Sequence, residues 1–422
     1  MSSWLPLHHN EFYTRSVRHR VPRVNRTVLW LGLAVTFLFS LHSLLRHLRP
    51  EYNLTIRVFR WPTGNESFVE FTDQNAAVSI APSPTTLSLS APIPSATVSE
   101  YDQGTNGTRR ANAAIIMLVR NSELGNALSS VKQLEERFNK RFGYPWVFLN
   151  EVPFTNEFKE KMSAAISGPV SFGLIPKEHW YQPDWIDEEK AAAGRAEMVA
   201  NDVVYGGSVS YRNMCRFNSG FFYRHPLVQQ YKWYWRVEPG VSFFCDTDYD
   251  PFLYMEENDK VYGFTISLYE WPQTVATLWD AVKEFVNENP HYLDPDNALA
   301  FLSDDDGGSY NMCHFWSNFE IANMELWRGE AYSKFFEHLE SKGGFYYERW
   351  GDAPVHSIGA ALFARKDQIH FFDDIGYQHP PFRHCPHLPS VRKAKNCSCS
   401  SVGNFDYNRD SCLNLWRQVE MS

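Results

Sequence analysis

Apolar and polar positions alternate along this chain with periods that name its elements. Residues 113–119 form an unbroken apolar run, which reads as a strand buried on both faces. After it, Leu124, Leu128, Val131, Leu134, Phe138 and Phe142 recur every three or four positions, the spacing of an amphipathic helix that Pro145 ends. Trp146 to Leu149 then reads as a second strand. Strand, helix and strand in about forty residues make a βαβ unit and hence a parallel sheet. A strand is expected over 260–266. Helices are expected over 274–286, over 331–341 with Gly343-Gly344 closing it, and from Asp352-Ala353-Pro354 to about Phe363. The run Tyr231 to Val237 is aromatic and β-branched and stops at Glu238-Pro239-Gly240, which cannot continue a strand. Glu238 is therefore expected at the carboxyl end of a buried strand, where open α/β sheets bind ligands. Its oxygens suit Mg²⁺ or Mn²⁺, ions that commonly bridge a carboxylate to substrate phosphates.

The N-terminal pattern is different. Five arginines between Arg15 and Arg26 precede the apolar stretch 28–45, and Arg46 and Arg49 follow it. That length suits a bilayer core, and the charge asymmetry puts residues 1–27 in the cytosol and the rest in a lumen. No small-residue cleavage site follows the stretch, so it is read as a signal-anchor helix. Residues 46–110 are expected to be a stem. Within it, residues 82–99 hold twelve Ser, Thr or Pro out of eighteen, too polar and proline-rich to pack a core. A lumenal catalytic domain is expected over 111–422. Glycosylation sequons begin at Asn53, Asn65, Asn106 and Asn396. Seven cysteines permit up to three disulfides and one thiol, with pairing unreadable from sequence.

Aromatic residues make up 16% of the chain, a level common in carbohydrate-handling proteins and equally compatible with an aromatic core. The net charge of −9 argues against nucleic acid as a partner. No G-x-G-x-x-G and no P-loop lysine motif follows the first strand, which weakens ATP or NAD chemistry. Two acidic clusters, Asp246-Thr247-Asp248 with Asp250 and Asp304 to Asp306, could be mistaken for metal sites. Such clusters are ordinarily solvated turns.

Three segments carry a resemblance: Tyr-Trp-Arg-Val-Glu-Pro-Gly (234–240), Tyr-Asn-Met-Cys-His-Phe-Trp-Ser-Asn-Phe-Glu-Ile (310–321) and Arg-Trp-Gly-Asp-Ala-Pro-Val-His-Ser (349–357). With 208–217 and 375–382, they resemble the fungal α-1,2-mannosyltransferases of the KRE2/MNT1 (KTR) group, glycosyltransferase family 15. The match spans about residues 111 to 400. It implies an α/β, GT-A-like mixed sheet flanked by helices, on an N-terminal transmembrane helix and stem. It also implies a type II Golgi membrane protein that transfers mannose from GDP-mannose, with Mn²⁺ and retention of anomeric configuration, to α-mannoside acceptors on glycoproteins.

The resemblance also implies roles for particular residues. Glu238 stands where GT-A enzymes usually carry Asp-x-Asp, and with His379 it would hold the metal. Glu320 matches the family's candidate nucleophile, and Asp352 an essential aspartate. Tyr211 would bridge donor and acceptor, and His356 would stand behind the substrate contacts. Arg120 and Asn121 follow the first strand where a nucleotide would meet the βαβ turn, and Arg216 could offset phosphate charge. The residues alone leave other readings open: Asp352 as a helix N-cap, and Glu320 as a salt-bridge or helix-start carboxylate. Two other functions stay open with them. One is a lumenal glycoside hydrolase using paired carboxylates such as Glu320 and Asp352. The other is a membrane protein that binds mannan without turnover.

Overall fold

The structure is a computed structural model that describes residues 109–422. Its strands in chain order are β1 (Ala113–Leu118), β2 (Trp146–Asn150), β3 (Val170–Leu174), β4 (Trp233–Arg236), β5 (Ser242–Phe243) and β6 (Tyr262–Phe264), followed by β7 (Ser267–Tyr269), β8 (Cys313–Phe315), β9 (Glu320–Asn323), β10 (Ile369–Phe371), β11 (Tyr377–His379) and β12 (Phe382–His384). Seven of them build one sheet in the order β10-β6-β9-β4-β1-β2-β3. The pairs within β4-β1-β2-β3 are parallel, as is β10 with β6, while β9 runs antiparallel to both of its neighbours. The sheet is therefore mixed.

Both faces of this sheet are covered, and the alternation of β1 shows how. Ala114 and Ile116 pack into one apolar cluster, while Ala113, Ile115 and Met117 pack into the other. A strand apolar on both sides reads as a continuous run, which is why no alternation marked it in the sequence. In β4, Trp233 and Trp235 enter one cluster while Tyr234 points into the opposite one, and Arg236 shares the face of Tyr234. The same face takes Glu320, because Arg236 lies opposite Glu320 in the β4–β9 register.

The expected βαβ unit is present. Its helix is α-helical over Leu124–Leu134, continues through a π-helical turn over Glu135–Asn139, and ends at Gly143 with φ 69°. The helix expected over 274–286 instead runs Leu278–Glu288, because Pro272 opens a separate short turn before it. Helices Glu330–Lys342 and Asp352–Phe363 match expectation, and Gly343 (φ 71°) caps the first of them. Helices over Asn156–Ala165, Glu188–Ala200, Val209–Gly220 and Leu413–Met421 were not read from the sequence. Val209–Gly220 buries Arg212, Asn213, Arg216 and Asn218 alongside its apolar residues, which blurs the polar–apolar contrast.

Three disulfides form: Cys245–Cys397, Cys313–Cys412 and Cys385–Cys399, leaving Cys215 as a buried thiol. The described residues belong to one compact unit. Among them no helix is long and apolar enough to cross a membrane. The expected tail and anchor, and the stem up to residue 108, lie outside the described residues.

Candidate active site

Five side chains converge because strand parity and one helix aim them at the same place. Tyr234 and Arg236 leave β4, and Glu320 leaves β9, on one face of the sheet. Asp352 and His356 stand one turn apart on the helix Asp352–Phe363, so both reach that face. Arg236 then bridges two carboxylates. Its Nη2 donates to Glu238 Oε1 at 2.6 Å and its Nη1 to Asp352 Oδ2 at 2.5 Å. Ser317 Oγ also donates to Asp352 Oδ2, at 2.8 Å, which leaves Oδ1 to receive another donor. Gly351, not Asp352, is the N-cap of this helix, and no side-chain cap forms. Capping therefore does not account for Asp352.

Glu238 lies two residues beyond β4, at the Pro239-Gly240 turn. Gly240 has φ 87°, a conformation that glycine adopts without strain. Burial alone would raise the Glu238 carboxyl, but Arg236 and His379 outweigh burial and hold it at about 2, against an ordinary 4.5. The same two carboxylates hold the Arg236 guanidinium well above its usual range despite its burial.

His379 reaches Glu238 through a second, three-stranded antiparallel sheet, β12-β11-β5. β5 begins two residues after Gly240 and pairs with β11, with Ser242 opposite Gln378. That pairing brings His379 Nε2 to 3.5 Å from Glu238 Oε2. His379 Nδ1 donates to the Pro380 carbonyl at 3.0 Å, which turns Nε2 toward the carboxylate. A protonated Nε2 donates to Glu238, and a neutral ring offers a lone pair that, together with the carboxylate, would receive a cation between them. A carboxylate oxygen and an imidazole nitrogen suit a divalent metal such as manganese. Among the described residues no group of three or more His, Cys, Asp or Glu gathers as a metal cage, so Glu238 and His379 would hold an ion with two protein ligands.

Glu320 is sealed from solvent. Tyr234 OH donates to Oε2 at 2.8 Å and Tyr262 OH to Oε1 at 3.0 Å, while His356 Nδ1 lies 2.7 Å from Oε1. His356 Nε2 donates to the Asn218 carbonyl at 3.0 Å, and its ring stacks on Trp327. His356 thus supports Glu320 from behind and is not in the wall of the neighbouring pocket. Glu320 starts a strand, so the helix-start reading fails too. A pocket with Leu118, Asn218, Phe222, Arg236, Glu238 and Glu320 in its wall lies beside this network, at the carboxyl ends of β1 and β4.

The other expected residues divide. Tyr211 stacks on Tyr205 (centroids 4.8 Å apart) and lies under Arg349. Burial pushes its phenol well up, so it is a neutral hydroxyl at physiological pH. Arg120 stands just past β1 but is paired with Glu151 at 3.0 Å and bonded to Ser210. Asn121 ties two loop positions, donating to the Pro153 carbonyl and accepting from the Thr155 amide. Arg216 is a correction. Its guanidinium pairs with Glu340 at 2.7 Å, bonds the carbonyls of Glu178, His179 and Tyr181, and stacks on Phe221. Its charge is already matched, so it braces a helix and does not serve phosphate.

Neither acidic cluster forms a site. Asp246 pairs with Arg137 and Asp248 with Lys395, Asp250 caps the helix Pro251–Glu257, and Asp305 folds its own loop through Ser303 and Ser309. Residues missed by the sequence reading are Arg236, Ser317, Tyr234 and Tyr262. The signal for Arg236 was available: a charged residue in a strand otherwise made of buried aromatics needs a partner.

The profile of the family described as Glycolipid 2-alpha-mannosyltransferase (Glyco_transf_15) matches residues 73–421, reaching back into the segment read as stem. The Glycolipid 2-alpha-mannosyltransferase of Saccharomyces cerevisiae is 53% identical over 324 residues, 76% of this chain and 73% of that one. Core-mannan synthase A (CmsA/Ktr4) from Aspergillus fumigatus, solved in a Mn/GDP form, is 45% identical over 73% of this chain and 85% of its own, with TM-score 0.69. The mannosyltransferase Ktr4p from S. cerevisiae, solved with GDP, is 44% identical over 74% and 83% of the two chains, with TM-score 0.71. The mixed sheet is thus the expected GT-A-like glycosyltransferase fold, and the chain belongs to glycosyltransferase family 15, the glycolipid 2-alpha-mannosyltransferase family.

Proposed function

We propose that this chain is an α-1,2-mannosyltransferase that moves mannose from GDP-mannose to an α-mannoside on glycoproteins, retains anomeric configuration, and depends on Mn²⁺ held by Glu238 and His379. The observation that carries the reading is the opposed pair of Oε2 and Nε2 at the pocket edge, 3.5 Å apart, with His379 oriented by the Pro380 carbonyl. The Mn/GDP form of the Aspergillus fumigatus relative supports the same metal and nucleotide here. A bound divalent ion would neutralise the charge that develops on the departing diphosphate.

The chain's own residues do the rest. Arg236 keeps Glu238 and Asp352 apart and oriented, so that neither rotates away from the pocket. Asp352 offers Oδ1 to a sugar hydroxyl. Glu320, fixed by three contacts, places negative charge below the anomeric carbon as positive charge develops there. Its oxygens are occupied by donors, which favours electrostatic stabilisation over attack on that carbon. Tyr211 can donate a hydrogen bond between donor and acceptor, but as a neutral phenol it is no base. The hydrolase alternative is not favoured, since the Glu320 oxygens are taken by Tyr234, Tyr262 and His356 and Asp352 is engaged by Arg236 and Ser317, which leaves neither free as acid or nucleophile. The arginine-flanked stretch 28–45 supports a type II anchor in the Golgi membrane with the enzyme in the lumen.

The full chain, solubilised in detergent, should transfer mannose from GDP-mannose to methyl α-mannoside with Mn²⁺ and fail with EDTA. NMR of the product reads the linkage and the anomer. Transfer that survives EDTA, or release of free mannose from mannan without any nucleotide sugar, sinks the reading.

A further inference from the structure

One sequon, Asn396-Cys397-Ser398, falls on described residues, and both Asn396 and Ser398 are exposed. Asn396 adopts φ 47°, a left-handed conformation that asparagine tolerates. Its amide nitrogen makes only a 3.4 Å contact, with Asp246 Oδ2. An open groove with Arg137, Lys140, Arg141 and Asp246 in its wall runs alongside, and Arg137 bonds the Asn396 carbonyl at 3.2 Å. A saccharide on Nδ2 would leave over polar surface without displacing a buried group.

The triplet is also locked from both sides. Cys397 is bonded to Cys245, and its neighbour Cys399 to Cys385. The Cys397 amide donates to the Arg392 carbonyl at 2.9 Å and the Ser398 amide to the Phe244 carbonyl at 2.8 Å. The Ser398 hydroxyl is engaged by the Phe244 carbonyl and Arg137. A glycosylating enzyme must draw the asparagine and the hydroxyl together into its own cleft. Once the Cys245–Cys397 bond closes, this backbone cannot be drawn out. Cys245 precedes Cys397 by 152 residues, so it is already in the compartment when the sequon arrives.

We propose that Asn396 is an N-glycosylation site whose occupancy is set by a race between glycan transfer and closure of Cys245–Cys397. In the transfer, Nδ2 bonds to the anomeric carbon of a lipid-linked oligosaccharide diphosphate. The carbon–oxygen bond to the diphosphate breaks, the lipid diphosphate leaves with the electron pair, and the amide proton passes to the transferase. In the competing step two thiols lose two protons and two electrons to the compartment's disulfide oxidant. Thiol oxidation takes seconds to hours, which gives the transfer time to compete. The proposal rests on the lumenal address proposed above.

The test expresses the full chain in a fungal secretory host and reads each sequon peptide by mass spectrometry after endoglycosidase treatment. The stem sequons at Asn53, Asn65 and Asn106 report the address. Wild type should carry glycan on a fraction of Asn396, and Asn396→Gln should lose that species. Cys245→Ser should raise occupancy about twofold or more, while Cys412→Ser, which opens a disulfide that involves neither Cys397 nor Cys399, should leave it unchanged. Occupied stem sequons with Asn396 bare in both wild type and Cys245→Ser overturn the proposal and spare the address. Equal occupancy in wild type and Cys245→Ser, or an equal rise in Cys412→Ser, also overturns the race. Bare sequons throughout refute the address, and the proposal with it.

Discussion

Replacing Arg236 by Met tests the centre of the site most directly. The guanidinium lies between Glu238 and Asp352, both buried, and is itself mostly covered, so its loss leaves two carboxylates facing each other without a cation. Breaking a buried pair by removing one partner costs about 3–5 kcal/mol. The Glu238 carboxyl, held at about 2 against 4.5, gives a second measure. A group whose folded value is depressed adds stability above its unfolded value and loses it as pH falls toward the folded one. Glu238 therefore contributes about 3 kcal/mol at pH 7, and about 2 kcal/mol of that is gone by roughly pH 3. The assay is urea unfolding followed by tryptophan fluorescence. Arg236→Met should be less stable than wild type by about 3–5 kcal/mol at pH 7, and the gap should narrow by about 2 kcal/mol toward pH 3 as the orphaned carboxyls take up protons. Arg236→Lys, which can reach only one carboxylate well, should fall between. A difference below about 1 kcal/mol, or a gap that is the same at both pH values, would refute the claim that this ion pair holds the site.

Other predictions follow from the same geometry. Glu238→Gln and His379→Ala should each lower mannose transfer by about a hundredfold or more, with isothermal titration showing weaker Mn²⁺ binding in the presence of GDP. Tyr234→Phe and Tyr262→Phe each remove a donor to the buried Glu320 carboxylate and should cost about 1–3 kcal/mol of stability, with kcat falling more than KM. Arg216→Met should lower the midpoint of unfolding while leaving the KM for GDP-mannose unchanged; a raised KM would restore it as a phosphate contact. Removing the Cys313–Cys412 disulfide opens a loop spanning 99 residues and should destabilise the chain by about 4.7 kcal/mol, measured as a shift in the urea midpoint.

Much of the frame was legible before the structure. The period of 113–149 gave a βαβ unit, and Pro239-Gly240 located a strand end with Glu238 on it. The cysteine count allowed three disulfides and a thiol. These are local signals, written within a few residues by side-chain period and turn chemistry. The roles given to His379, Glu320 and Asp352 came from family likeness, because no nearby residue announces them. Where local logic was asked for more, it erred in a consistent way. Arg216 looked free because its partner Glu340 is 124 positions away, and Asp352 looked like a cap because its real partners, Arg236 and Ser317, are equally invisible nearby.

Tertiary structure decided which charges meet. An antiparallel register sets Arg236 opposite Glu320, two tyrosines from different strands close over that carboxylate, and the pairing of β5 with β11 carries His379 to Glu238 across 141 positions of chain. It also chose which cysteines pair. The physical reason is that a buried charge is tolerated only beside its partner, and partner choice depends on which strands pair and in which register. A pattern of period two or 3.6 fixes which face a residue takes, but not what lies across from it.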